Sequence, residues 1–188
     1  MEISPVSRIT TDAIGEPGER TFYLQARGAS AEELVTIHLE KEQVQLLAAS
    51  ILEILARVGK ETGEGPDEGE MDLELPIEPR WRAGKLSIGY EEERDLLLLE
   101  IEELVAGPEE ELEEELEDDE GVDPMDPPDP DPDRVRLWAT REQMLALSRQ
   151  SAAVASRGRP TCQFCGNPMD PEGHWCPAMN GHRPSAQA

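Results

Sequence analysis

Three short runs at the start of the chain alternate apolar with polar residues, and each predicts a strand. Residues 7–14 lead into Gly15-Glu16-Pro17-Gly18, a turn signal. Over Thr21–Arg27, Phe22, Leu24 and Ala26 share one face, and Tyr23, Gln25 and Arg27 the other, as in a half-buried strand. Val35, Ile37 and Leu39 then alternate with Thr36 and His38, which places His38 on the polar face as a surface residue. The period next changes to that of a helix. Val44, Leu47, Ala48, Ile51, Leu55 and Val58 predict a helix over about 41–58, with Gly59 as its stop.

Residues 60–80 break every period and read as a polar connection. Residues 85–90 and 95–105 flank a charged turn and predict a hairpin, with Leu97, Leu99 and Ile101 facing inward. After an acidic interruption, Val135, Leu137 and Ala139 alternate with Arg136 and Trp138, so Trp138 points away from the core and is expected to pack under the C-terminal tail. Thr140 stands three before Gln143, a capping-box pattern that opens a helix over about 141–156.

The two strand–helix junctions align without gaps at an offset of 100 residues, Val35 over Val135, Glu42-Gln43 over Glu142-Gln143, Leu47 over Leu147 and Arg57 over Arg157. Five identities in the 23 positions from 35 to 57 are too few to prove a repeat, but the same order of three strands and a helix precedes both ends. A single three-stranded meander with one helix buries little surface, whereas two can cover each other. The expected architecture is therefore α+β: two antiparallel strand–strand–strand–helix units, the product of an internal duplication. The first spans 1–59, the connection 60–80, and the second 81–158 with an acidic insertion over 108–133. A small metal-binding tail occupies 159–188.

Charge sharpens this picture. The formal net charge is −25, which argues against a nucleic-acid binder held by counterion release. Residues 108–133 hold 15 acidic and no basic side chains, including a DPPDPDPD run that cannot continue a helix, so a disordered loop is expected there. Residues 134–188 hold seven Arg against three acidic residues; the insertion is read first as solubilising charge, with transient covering of Arg141, Arg149, Arg157, Arg159 or Arg183 as the alternative. No run of about 18 apolar residues is present to span a membrane, and the N-terminus lacks the apolar stretch of a signal peptide. A cytoplasmic location is the expectation.

The chemistry sits in the tail. Its three cysteines fall within 15 residues, an odd number that suits a metal site better than a disulfide frame. Cys162-x-x-Cys165-Gly166 has the form of a zinc knuckle, in which two thiolates three apart share one tetrahedral ion and the glycine permits the backbone reversal. Cys176 supplies a third thiolate. The fourth ligand to Zn²⁺ is His174, two residues before Cys176, or His182, six after it. A complete Cys3His shell is structural rather than catalytic, because it leaves no open position for water.

At PGERTFYLQARG, HLEKEQVQLLA and GRPTCQFCGNPMDPEGHWCP the chain resembles DUF3090, a bacterial family of unknown function. The resemblance covers nearly the whole chain apart from the two acidic connections. It implies a GHxCP element matching His174 and Cys176, with an aromatic where this chain has His182, and so favours His174 as the ligand. It also implies two partners, a kinase-like protein related to phosphatidylinositol kinases and a histidine-phosphatase-like protein, whose genes lie beside those of the family.

No phosphate-binding glycine loop, nucleophile elbow or paired-carboxylate arrangement is present. A non-enzymatic adaptor or regulatory protein is the expected function. A zinc- or thiol-dependent enzyme using the cysteine cluster is the alternative.

Overall fold

The computed structural model describes residues 1–30, 33–67, 69, 71–105, 131–158, 161–169 and 174–179. The acidic insertion lies outside the described residues apart from 131–133, as do Arg159, His182 and Arg183.

Alternation of side chains builds the first sheet. Strands β2 (Arg8–Ile14), β3 (Thr21–Arg27) and β4 (Leu34–Leu39), which follow a short β1 (Glu2–Ile3), form an antiparallel meander in the order β2-β3-β4. Its register places Ile9 against Ala26, Thr11 against Leu24, and Leu24 against Ile37, so one face is apolar and fully buried. Helix α1 (Lys41–Val58) follows and ends at Gly59, whose φ of +66° lets its amide turn back to donate to the Leu55 carbonyl at 3.1 Å. Strands β5 (Ala83–Glu91), β6 (Leu96–Glu103) and β7 (Arg134–Ala139) form a second antiparallel meander, and helix α2 (Arg141–Ser156) follows it. The protein is thus mixed α+β, with two sheets and two helices around one continuous core.

One strand departs from the expected all-antiparallel arrangement. β1 pairs parallel with β7, giving the second sheet the order β1-β7-β6-β5. A two-residue strand has no period to read, and its pairing partner lies more than 130 positions away. The first sheet shows a matching feature: His38, in β4, forms a parallel bridge with Arg82, just before β5. Each meander's last strand therefore hydrogen-bonds the chain leading into the other meander's first strand.

The helices lock this arrangement in the same way at both ends. The side-chain oxygen of Gln43 accepts the Glu40 amide at 2.8 Å, and that of Gln143 accepts the Thr140 amide at 2.9 Å. Their amide nitrogens reach across to the opposite meander. Gln43 donates to the carbonyls of Ala83 and Gly84 at 2.9 and 3.1 Å, and Gln143 to those of Val6 and Ser7 at 3.1 and 3.3 Å. One glutamine thus satisfies a helix N-terminus and clamps a strand lead-in. Where α1 and α2 cross, the buried Ser148 hydroxyl donates to the Ala48 carbonyl at 2.8 Å, a close approach that two small residues allow.

The aperiodic 60–80 stretch is packed onto the outer face of the first sheet and along α2. The Thr10 hydroxyl donates to the Met71 carbonyl, and Met71 is buried. The Gln25 side chain, 1% exposed, pairs with the backbone of Glu74 through both of its ends, at 3.0 and 2.7 Å. The Glu74 carboxylate accepts from Arg27 and Arg8, which hold it below its usual range against the opposing effect of burial. The polar residues of the sheet's outer face thus find their partners in the connection, a pairing that no local period encodes.

Three of the five arginines named against the acidic insertion are described, and each has a partner inside the fold. Arg141 pairs with Asp95 at 3.1 Å, Arg149 donates to the Glu64 carbonyl at 3.5 Å, and Arg157 lies 3.9 Å from Asp12. Trp138 also departs from expectation. Its indole nitrogen donates to Glu2 at 2.8 Å, and the Arg94 guanidinium lies over its ring at 4.6 Å, so among the described residues its partners are the N-terminus and the hairpin turn rather than the tail.

Asp95, in the β5–β6 turn, has φ +53° and ties three elements together. It accepts from the Tyr90 hydroxyl at 2.6 Å, from Arg141 at 3.1 Å and from Lys60 at 3.2 Å. Tyr90 first, then Arg141 and Lys60, hold its carboxyl well below the usual carboxylate range. Because the folded value is depressed, the contribution of this cluster is complete above about pH 4, where an unfolded aspartate is ionised, and is lost as pH falls below it. Asparagine tolerates the same left-handed backbone but carries no charge. Urea midpoints of wild type and Asp95→Asn are expected to differ at neutral pH, with the gap narrowing below about pH 4. A gap that stayed constant down to pH 2 would show that the carboxylate is not the tie.

Candidate metal centre

The tail turns back on itself immediately beyond α2. Thr161 and Pro168 form an antiparallel bridge. Within it the Cys162 amide donates to the Asn167 carbonyl, and the Gly166 amide to the Cys162 carbonyl, both at 2.8 Å. Gly166 has φ +75°, and a Cβ built on it would meet nothing within 4 Å. Backbone conformation, rather than lack of room, therefore requires glycine there. The turn over 163–165 presents Cys162 and Cys165 to the same side. The second segment of the site, His174 to Cys176, runs into a 3-10 turn over Pro177–Met179.

These segments bring Cys162, Cys165, His174 and Cys176 together, with every ligand atom within 4.8 Å of the others. The Cys162 and Cys176 sulfurs are 3.8 Å apart, and the Cys165 sulfur is 3.2 Å from His174 Nε2. A tetrahedral ion with metal–sulfur bonds of about 2.3 Å has sulfur–sulfur edges of about 3.8 Å, and its sulfur–nitrogen edges are about 3.5 Å. A disulfide needs sulfurs near 2.05 Å, and all three cysteines are free. The set can hold a metal ion, and its two closest contacts are near tetrahedral edges and too long for a disulfide.

Electrostatics are uneven within the cluster. Burial pushes the Cys162 thiol up, but the amides of Phe164 and Cys165 and the neighbouring thiols outweigh it and hold Cys162 below its usual value. Burial and the adjacent Cys165 push Cys176 up, with only the Ala178 amide opposing them. Amides aimed at the sulfurs are the surroundings in which thiolates are kept as ligands. His174 turns Nε2 toward the sulfurs, while its buried Nδ1 has no partner among the described residues.

The module's surroundings were not legible in the sequence. Thr161 and Pro168 close a cleft of about 470 Å³ with Arg20, His38 and Lys41 of the main body. His38, given only a surface role above, contributes to that cleft and lies beside Tyr23, their rings 6.0 Å apart. Phe164 and Trp175 stand out from the module, 57% and 74% exposed. Two of the chain's seven aromatics therefore face solvent next to the cysteine cluster.

Among the described residues, no helix is long and apolar enough to cross a membrane. No curated protein and no solved structure matches the chain. One family model does match, over residues 1–176 of 188, a span that contains all four clustered residues and ends short of His182. The chain, with its two meanders, two helices and Cys3His cluster, belongs to the family described as protein of unknown function (DUF3090).

Proposed function

We propose that the protein is a zinc-binding, non-enzymatic interaction protein, and that its metal module is a structural knuckle displaying Phe164 and Trp175 to a partner. The observation that carries this reading is the Cys3His cluster with two exposed aromatics at its rim. Four protein ligands complete a tetrahedron and leave no position for a reactive water, so the ion orders the segment rather than activating a substrate. Large aromatics are enriched among the residues that dominate binding energy at protein interfaces. The kinase-like and histidine-phosphatase-like proteins implied by the family resemblance are the first partners to test.

We also propose that the two meander–helix units are copies of one ancestral unit. Paired glutamines in equivalent roles and the crossed parallel pairings support that origin.

Protein purified without chelator is expected to carry one zinc per chain. Cobalt substitution should give the absorption of a tetrahedral site with three sulfurs and one nitrogen. His174→Ala is expected to lower zinc affinity by at least about tenfold, a common cost of disturbing a metal site, while His182→Ala leaves it unchanged. Equal losses in the two variants would overturn the ligand assignment. Capture of either partner by wild type but not by Trp175→Ala would support the interaction role. An octahedral cobalt spectrum, with open water positions, would favour the enzyme reading.

A further inference from the structure

Most arginines of the described fold sit against a carboxylate, as Arg8 and Arg27 do at Glu74 and Arg141 does at Asp95. The chain has 42 acidic side chains to 17 basic ones, so a cation without a carboxylate needs a reason. The cleft between the main body and the metal module breaks the pattern. Arg20, just before β3, His38 in β4 and Lys41 at the start of α1 all line it. None of the three has an ion pair among the described residues. Lys41 makes no hydrogen bond there either, and its Nζ lies 3.5 Å from the position of a Cβ on Gly158. Arg20 donates once, to the Val154 carbonyl at 3.4 Å, which leaves the rest of its guanidinium fork unused. His38 has Tyr23 beside its ring and no hydrogen-bond partner among the described residues, so its N–H is also available.

The two fixed cations approach one place from different elements. Val154 and Gly158 lie at the C-terminal end of α2, and the last turn of that helix holds no basic residue of its own. A helix C-terminus draws cations, which accounts for their gathering. It carries only about half a negative charge, however, and so leaves more than one positive charge uncompensated. Glu40 is the acidic residue described in the lining, and its carboxylate is already committed. It pairs with Arg82 at 2.8 Å and accepts the Gln43 amide that caps α1. Phe22, Leu39 and Pro168 give the cleft apolar walls, and Thr21 and Thr161 add hydroxyls.

We propose that this cleft binds a phosphate monoester. Such a group carries about −1.5 to −2 charges at neutral pH, which matches two fixed cations, and its three terminal oxygens can accept from donors that arrive from separate elements. The guanidinium fork gives it the paired contact and the ammonium a point charge. A cleft of about 470 Å³ also holds the organic part of a small phosphorylated molecule, or a phosphorylated side chain, against the apolar walls. All three donors belong to the main body, so the inference does not rest on the interaction reading of the metal module.

The probes are O-phosphoserine as the free amino acid and phosphoserine at the centre of a short Gly/Ala peptide, each titrated calorimetrically into the full chain purified without chelator. Saturable binding of one equivalent is expected. Arg20→Gln and Lys41→Gln should each weaken it about tenfold or more, the loss of a charge-assisted hydrogen bond. Arg149→Ala, on the face of α2 that meets the connection, should leave it unchanged. In the wild type, the amide resonances of Thr21, His38 and Lys41 should shift on titration, a readout that stands even if a variant fails to fold. Tighter binding of the peptide makes the ligand a phosphorylated protein, and equal or tighter binding of the free amino acid makes it a small phosphorylated molecule; either supports the site. No saturable binding, or binding unaffected by both cleft variants, overturns the proposal. So does acetate binding as tightly as phosphoserine, which would make the cleft a general cationic rim. Binding seen only when Asp170→Asn and Glu172→Gln are combined also overturns it, because the chain's own carboxylates would then be the occupant.

Discussion

Replacing Cys165 by serine is expected to empty the metal centre and unfold residues 161–179 while leaving both sheets in place. The module is held to itself by one isolated bridge and a few backbone hydrogen bonds, and apart from its cysteines no described residue in it belongs to the buried core. On the proposed reading, order there comes from the ion. Structural zinc sites in short peptides supply about 10–16 kcal/mol of apparent binding energy at neutral pH, enough to fold a segment that is otherwise unfolded. Zinc content should fall from one per chain toward zero. Amide exchange should become fast across the module and stay slow in the strands of the core. The sheets survive because their interior residues are buried by one another and by the helices, with no contribution from the tail. Unchanged zinc content in the variant would mean that Cys165 is not a ligand.

The second large effect is expected at Leu147→Ala, with a loss of about 2–5 kcal/mol, the usual cost of removing a buried leucine from a packed core. Leu147 is 0% exposed, and its counterpart Leu47 is 2% exposed. Leu47→Ala should therefore cost a similar amount. Leu46→Ala, one residue away on the open side of α1, should change stability by no more than about 0.5 kcal/mol. Urea unfolding reads all three as shifts in midpoint at constant slope. A domain of this kind has only about 5–15 kcal/mol of net stability, so the first two variants approach the limit of folding. A negligible effect at Leu147 would contradict the placement of α2 over the core.

The contrast between Leu46 and Leu47 shows where reading a sequence stops. Period alone places Leu47 in the helix stripe that faces the core. It does not say that one face of α2 is covered by the connection while Leu46, on the matching face of α1, is 67% exposed. Likewise, Gln143 is legible as a capping residue from its distance to Thr140, yet its clamp on Val6 and Ser7 spans more than 130 positions. The odd thiol count and the Cys-x-x-Cys-Gly spacing point to a candidate metal site without any structure, because two thiolates three apart can share one tetrahedral ion. Choosing between His174 and His182 from the residues alone is not possible. The structure places His174 among the sulfurs, and His182 lies outside the described residues.

Local physics is what the sequence by itself determined here. Alternation located the strands, helical spacing with Gly59 and Thr140 located Lys41–Val58 and Arg141–Ser156, and cysteine spacing located the centre. Each depends on neighbours within a few residues, where backbone geometry leaves few choices. Long-range pairing was decided only by the tertiary structure. It joined β1 to β7, set Glu74 between Arg8 and Arg27, drew Trp138 to Glu2 and Arg94, and laid the 60–80 connection along α2. Those outcomes follow from which polar groups and apolar faces remain unsatisfied once the local elements exist. A buried donor or a bare edge can be satisfied by any segment the fold brings near, and sequence distance does not reveal which one arrives.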